Sequence, residues 1–269
     1  MGPNTHYVLS FLAALIAAPT QAVTQPVNGG AVWATPHDSY SSSVGVLGCK
    51  VNTDRVAYWP GSVDCNNVCL SLSYGDRSVK LLRIDTSQGA HDVSYDAWNY
   101  LITGYSATKK PTAGGAVAME FKYLDPSDCS DLIHTDGHKL PLSASNSINF
   151  LAYCLGQPDS WVAKNHVLYN IQDSICSWGH DETCNLDWPN ANQPTCSHIL
   201  GDPVALTTEP VYNIRYPSGE KVIASSGEVV SGDESEDSSN ARKPIPKLLG
   251  TPALAATISL VAYHLLTSL

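Results

Sequence analysis

Two aspartates carry the most legible chemistry in this chain. Asp85 ends a run of alternating apolar and polar residues, and Asp92 follows a short Gly89-containing loop and opens the next element. Aromatic residues lie close by in sequence at Tyr58, Trp59 and Tyr95. Two carboxyls can divide acid and base work on a glycosidic bond, and an inverting pair needs them about 6.5–9.5 Å apart around a water. Without cleavage, the same carboxylates can accept hydrogen bonds from sugar hydroxyls while the rings offer apolar faces for stacking. Each also has a plainer use. Asp92 can stabilise a helix start through its charge, and Asp85 can close a loop through an Asx-type bond. Tyr58 and Trp59 can be core beneath the loop bounded by Cys65 and Cys69, and Trp98 reads as core.

The elements that position these residues follow from periodicity and turn chemistry. Residues 71–74, the turn Gly75-Asp76 and residues 78–84 form a predicted hairpin. Ser94 can cap a helix whose apolar residues Ala97, Trp98 and Leu101 share one face. Residues 114–123 predict a further strand leading to Cys129. Residues 145–155 predict a second helix with Ile148, Leu151, Ala152 and Leu155 on one side. Residues 167–171 predict a strand, and 176–203 a cysteine-tied loop.

Three short motifs stand in a fixed order: Arg83-Ile84-Asp85, then Asp92-Val93-Ser94, then Trp98. Before them, Cys65-Asn-Asn-Val-Cys69 leads into Leu70-Ser71-Leu72; after them, residues 116–123 alternate into Cys129. In this order they resemble the double-psi β-barrel group of barwin, the rare lipoprotein A-like domains, expansin domain 1 and the family 45 endoglucanases. The match is to the fungal secreted, lipid-anchored type. The resemblance implies a mainly β fold, with a six-stranded double-psi β-barrel over 44–129, short helices and a disulfide-rich C-terminal extension. It implies an acid role for Asp92, because the similarly placed aspartate of the endoglucanases protonates the leaving oxygen; it makes Asp92 and Asp85 the catalytic candidates if any bond is cut, and Tyr58, Trp59, Tyr95, Asp85 and Asp92 the glycan-binding candidates. Their base follows an aromatic pair on the first strand, whereas here Tyr58-Trp59 is followed by Pro60; Asp54 and Asp64 are the substitutes. The resemblance thus leans away from an enzyme and toward an expansin-like protein that binds wall polysaccharide and loosens or remodels it without net hydrolysis. A glycan-cleaving enzyme, endoglucanase-like or lytic transglycosylase-like and using Asp92 as acid, is the second reading. An interaction protein or effector on the same fold is the third.

The ends of the chain predict export and anchoring. Residues 8–18 are apolar and too short to span a bilayer, and Pro19-Thr20-Gln21-Ala22 follows with small residues suited to signal-peptide cleavage after Ala22. Small residues at 238–241, a polar spacer and an uncharged apolar terminus at 248–269 match a glycosylphosphatidylinositol (GPI) signal, with Ser239 as the attachment residue. A transmembrane helix is the alternative, weakened by Pro252 and His264. The expected organisation is signal peptide 1–22, lead 23–43, barrel 44–129, cysteine-rich α/β extension 130–216 packed on the barrel, acidic Ser-rich stalk 217–241 and removed anchor signal 242–269. The expected location is the extracellular face of the plasma membrane or the cell wall, with membrane contact through the lipid alone.

Eight cysteines, Cys49, Cys65, Cys69, Cys129, Cys154, Cys176, Cys184 and Cys196, predict four disulfides whose pairing the spacing leaves open. Removing both signals takes 3 of 15 basic and none of 25 acidic residues, leaving 12 − 25 = −13. That charge argues against a nucleic-acid partner and against polyanions, and favours neutral or cationic glycans. No cofactor and no metal site are expected: Cys65 and Cys69 lack a second ligand pair, and His134, Asp136 and His138 straddle a turn at Gly137. The chain lacks a Gly-x-Ser-x-Gly elbow and an Asn-x-Ser/Thr acceptor. A monomer is expected.

Overall fold

The computed structural model describes residues 28–230. The expected signal peptide, Ser239 and the terminal apolar segment lie outside them.

Six strands close into a barrel: β1 (Gly29–His37), β2 (Val56–Pro60), β3 (Cys69–Tyr74), β4 (Arg77–Ser87), β5 (His91–Ser94) and β6 (Val117–Tyr123). Their order around the barrel is β1-β5-β2-β4-β3-β6, with β6 returning to β1. Of the strands that follow one another in sequence, only β3 and β4 pair directly, through a Gly75-Asp76 turn in which Gly75 takes φ +59, a left-handed value that suits glycine. β1 with β5 and β2 with β4 are parallel, and the remaining pairs are antiparallel. A barrel of this size is filled by side chains. Alternation supplies them: Val32, Ala34, Leu70, Leu72, Leu81 and Met119 point inward and are buried.

The helix α1 (Tyr95–Thr103) follows β5 directly, as the sequence predicts, and its Trp98, Ala97 and Leu101 are buried against the barrel core. Trp98 Nε1 donates to the Ala34 carbonyl at 3.2 Å, so the only polar atom of the indole is satisfied. Ser94 stands at the N-cap, but its side chain makes no cap bond; the hydroxyl donates instead to the Asp54 carbonyl at 2.6 Å.

The remaining described chain covers one outer wall. β7 (Leu140–Ser143), β8 (His166–Ile171) and β9 (Gly179–Cys184) form a three-stranded sheet, and α2 (Ile148–Leu155) and α3 (Trp161–Lys164) lie in the crossover between the parallel β7 and β8. Leu140, Leu142 and Leu168 share a core with Val56, Leu82 and Ile84 of β2 and β4. Four disulfides form: Cys49–Cys176, Cys65–Cys154, Cys69–Cys129 and Cys184–Cys196. The neighbours Cys65 and Cys69 therefore each bond to a distant partner.

Three expectations change. Residues 29–37, read as part of a lead, are the first barrel strand; only Val32 and Ala34 of this Gly/Ala-rich stretch face the core, so its apolar signal is faint. Within the expected loop 176–203 lies β9. Residues 217–230, read as the beginning of the stalk, contain β11 (Lys221–Ile223), which pairs with β10 (Tyr212–Ile214), and Val222 is buried.

Candidate functional site

The register sets four side-chain positions in one row across the barrel wall. Asp85 on β4 lies opposite Tyr58 on β2, Tyr58 lies opposite Asp92 on β5, and Asp92 lies opposite Thr35 on β1. Directly paired residues point to the same side of a sheet, and the register shift between Ala57 and Tyr58, which skips Ile84, is what brings Asp85 opposite Tyr58. The two aspartates thus share one face, separated by two strand spacings, about 10 Å between their Cα atoms.

What lies between them is protein. Asp85 is only 6% exposed, and its carboxylate accepts hydrogen bonds from Ser41 Oγ at 3.0 Å, from Ser43 Oγ, and from the Thr86 backbone N–H at 2.7 Å. Ser42 of the same loop donates to the Ile84 carbonyl at 2.7 Å. The 38–43 loop is thereby latched to β4. The Tyr58 ring is buried beside His37, with centroids 4.6 Å apart, and its hydroxyl donates to the Ser39 carbonyl at 3.3 Å. Burial pushes the Tyr58 phenol well above its ordinary range. Asp92 is half-buried and accepts from Thr35 Oγ1.

The aromatic candidates are all enclosed. Trp59, one residue on from Tyr58, turns to the opposite side of the strand and packs edge-on against Phe121 and His91 at 4.7 and 5.0 Å. Its Nε1 has no partner among the described residues. Next to it Arg83 donates through Nη2 to the carbonyls of Pro60, Gly61 and Ser62 at 2.9–3.0 Å. Burial, followed by the Arg83 charge, lowers the His91 pKa. Tyr95 is 1% exposed, its hydroxyl donates to the Thr112 carbonyl at 2.9 Å, and its ring meets Tyr216. Tyr58, Trp59 and Tyr95 therefore present no free ring face to a sugar, contrary to the sequence expectation. Sheet alternation tells which side a residue takes, but both sides of β2 are covered here, one by the barrel core and the other by the extension.

An open groove adjoins the row. It encloses about 560 Å³ and is lined by Ser43, Asp64, Thr86, Asn149, Phe150 and Tyr153, among others. Ser43 and Thr86 both hold Asp85, so the carboxylate's cradle is one wall of the groove. The opposite wall is α2. The Cys65–Cys154 disulfide ties α2 to the loop after β2, and the Asp64 carboxylate organises that loop by accepting from the N–H groups of Asn66 and Asn67 at 2.6 and 2.8 Å. Tyr153 is 63% exposed. Tyr153 lies off the apolar stripe of Ile148, Leu151 and Leu155, whereas Phe150 is partly buried against the core. A large aromatic displaced from a helix's core face was the signal in the sequence that could have found this groove.

Asp54 lies at a second place, with Asp96. Both line a small polar cavity of about 20 Å³ that Tyr58 also borders, and a wider pocket of about 270 Å³ with Lys221 and Tyr212. Asp96 is held by Arg55 Nη1 at 2.8 Å and by the Ala107 N–H at 2.7 Å. Burial first, and then the Asp96 charge, raise the Asp54 pKa.

His138 Nδ1 sits 2.9 Å from the Ile133 carbonyl, and His180 stacks on His198 at 3.9 Å. Among the described residues no three His, Cys, Asp or Glu side chains are grouped to hold a metal ion. Comparisons of this chain with family models, with curated proteins and with solved structures find no match.

Proposed function

We propose that this chain is a secreted, GPI-anchored double-psi β-barrel protein that binds neutral or cationic wall polysaccharide and loosens or remodels it without net hydrolysis. The observation that carries this reading is the open groove beside Asp85. It combines the exposed Tyr153 ring and the Asn149 amide on α2 with the hydroxyls of Ser43, Ser62 and Thr86 and the Asp64 carboxylate, the mixture a sugar needs for its apolar face and its hydroxyl rim. Two parallel, non-consecutive strand pairs in a closed six-stranded barrel, β1 with β5 and β2 with β4, support the double-psi connectivity. The state of Asp85 supports the absence of hydrolysis: its carboxylate is buried and already accepts three hydrogen bonds, and Tyr58 stands between it and Asp92 in the strand register.

A pull-down of the purified chain on insoluble chitin, β-glucan and cellulose, with the supernatant assayed for released sugars, tests the proposal. Saturable binding without release, weakened about tenfold or more by Tyr153→Ala, is expected. Loss of one stacked ring and the contacts around it is the physical basis of that figure. Absence of binding to all three polymers overturns the reading and leaves a protein partner as the target.

The glycan-cleaving reading keeps one observation in its favour. Burial and then the Asp96 charge raise the Asp54 pKa, which makes its carboxylate a stronger base, beside a polar cavity of about 20 Å³ that Tyr58 also borders. Released sugar that disappears in Asp92→Asn or Asp54→Asn would replace the non-hydrolytic proposal with it.

A further inference from the structure

On the wall of the barrel opposite β2 the outward side chains are left exposed by the described residues. Strand β6 lies between β1 and β3, and the outward positions of the three strands make one surface. Ala31, Glu120 and Ser73 form one row across it, and Lys122 and Ser71 belong to the next. Trp33 stands opposite Ala118. These positions hold small or hydroxyl side chains, one carboxylate and one amine, and a single large ring.

That ring is 67% exposed, while its neighbours Val32 and Ala34 face the interior and fill the barrel core. Trp33 thus contributes nothing to the core, and its apolar surface remains in water. Beside its partner Ala118 lies a shallow depression of about 390 Å³ lined by Ser73, Tyr74, Gly75, Ala118, Met119 and Glu120. Tyr74 at its edge is 38% exposed.

The chemistry of the surface narrows its occupant. Glu120 and Lys122 offset each other, so the face attracts neither polyanion nor polycation. The barrel is closed, so no strand edge offers free backbone groups to an added peptide. One indole among alanine, glycine and serine supplies too little apolar area for the buried centre of a protein interface. A pyranose ring does fit. Its axial C–H face matches an indole in size and polarity, and its equatorial hydroxyls would reach Ser73 and Glu120 at the rim.

We infer that the outer face of β3, β6 and β1 is a second carbohydrate platform on which Trp33 stacks a neutral pyranose of a polysaccharide chain. The inference rests on the reading of the protein as a polysaccharide binder but uses none of the groove residues. β6 and β2 are three places apart in the six-strand order, so the platform and the Asp85 groove serve different walls of the barrel. One molecule can then hold two polymer strands at once, and tethering at one contact raises the effective concentration at the other.

The test is binding of the full-length chain to insoluble β-glucan, chitin and cellulose by wild type, Trp33→Ala, Trp33→Tyr, Tyr153→Ala and the Trp33→Ala/Tyr153→Ala double variant. The platform predicts that Trp33→Ala weakens binding about five- to tenfold at unchanged melting temperature, the value of one stacked ring. It also predicts that Trp33→Tyr retains most of the affinity and that the double variant loses more than either single one. Full affinity in Trp33→Ala with loss in Tyr153→Ala overturns the platform and leaves the proposed function standing. A wild type that binds none of the polymers overturns both. A dimer seen by light scattering that dissociates in Trp33→Ala overturns the platform in favour of self-association.

Discussion

Removing the Asp85 carboxylate should unlatch the 38–43 loop, and the structure sets the size of the effect. The group is buried and accepts three hydrogen bonds, two from serine hydroxyls and one from a backbone N–H. Hydrogen bonds to a charged group contribute about 1.5–3 kcal/mol each, against about 0.5–1.5 for neutral ones. Asp85→Asn keeps an acceptor for the Thr86 N–H and lets the two hydroxyls rotate, so its cost is the loss of charge assistance, about 2 kcal/mol. Asp85→Ala leaves the Thr86 N–H, which cannot rotate away, without an acceptor and frees both serines, for about 3–4 kcal/mol. Urea unfolding at neutral pH, extrapolated linearly to water, measures both values. Ser43→Ala completes a double-mutant cycle, in which a coupling of about 1 kcal/mol between Asp85 and Ser43 is expected. An Asp85→Ala cost under about 0.5 kcal/mol, with no coupling to Ser43, would refute the latch and with it the claim that Asp85 is a fixed wall of the groove.

Replacing Cys65 and Cys154 together by serine should lower stability by about 4 kcal/mol in the chain-entropy model, because the bond closes a loop of 89 residues, and it should weaken polysaccharide binding by releasing α2; thermal unfolding and the pull-down read the two effects. Asp54→Asn should raise the melting temperature at pH 7. The folded state lifts the Asp54 pKa above its ordinary 3.8, so the wild type is destabilised by this group as pH rises through the folded value, and the advantage of the variant should vanish below pH 3.8. Melting curves across that range decide it, and an advantage that grows on acidification would contradict the sign.

The parts of the fold that were legible in the sequence are those where pattern and turn chemistry agree. The hairpin of β3 and β4, α1 after Ser94, the strand before Cys129 and the helix carrying Ile148 and Leu151 all announce themselves by period. β1 was hidden because glycine and alanine fill four of its nine positions and just two of its residues face the core. The placement of Asp85 and Asp92 on one face required the parallel pairing of β2 with β4, a contact between segments separated by all of β3. For Tyr58 and Trp59 the difficulty was coverage: adjacent residues on a strand take opposite sides, and ordinarily one side meets solvent. Here a second layer closes the outer side, so both rings are buried. Tyr153 and Trp33 were passed over for the converse reason. Exposure of an aromatic can be recognised only once the core is known to be complete without it.

The cysteine pairing sets how the molecule survives attack by a protease. Three of the bonds are nested, Cys69–Cys129 inside Cys65–Cys154 inside Cys49–Cys176. A protease that cuts once anywhere between residues 50 and 175 leaves two chains still joined by at least the outermost bond. With the two walls of the groove held by different segments of that span, a nick in a surface loop divides the polypeptide without separating the walls. Damage by hydrolysis and loss of the groove are thereby uncoupled, and a reductant is needed to turn the first into the second.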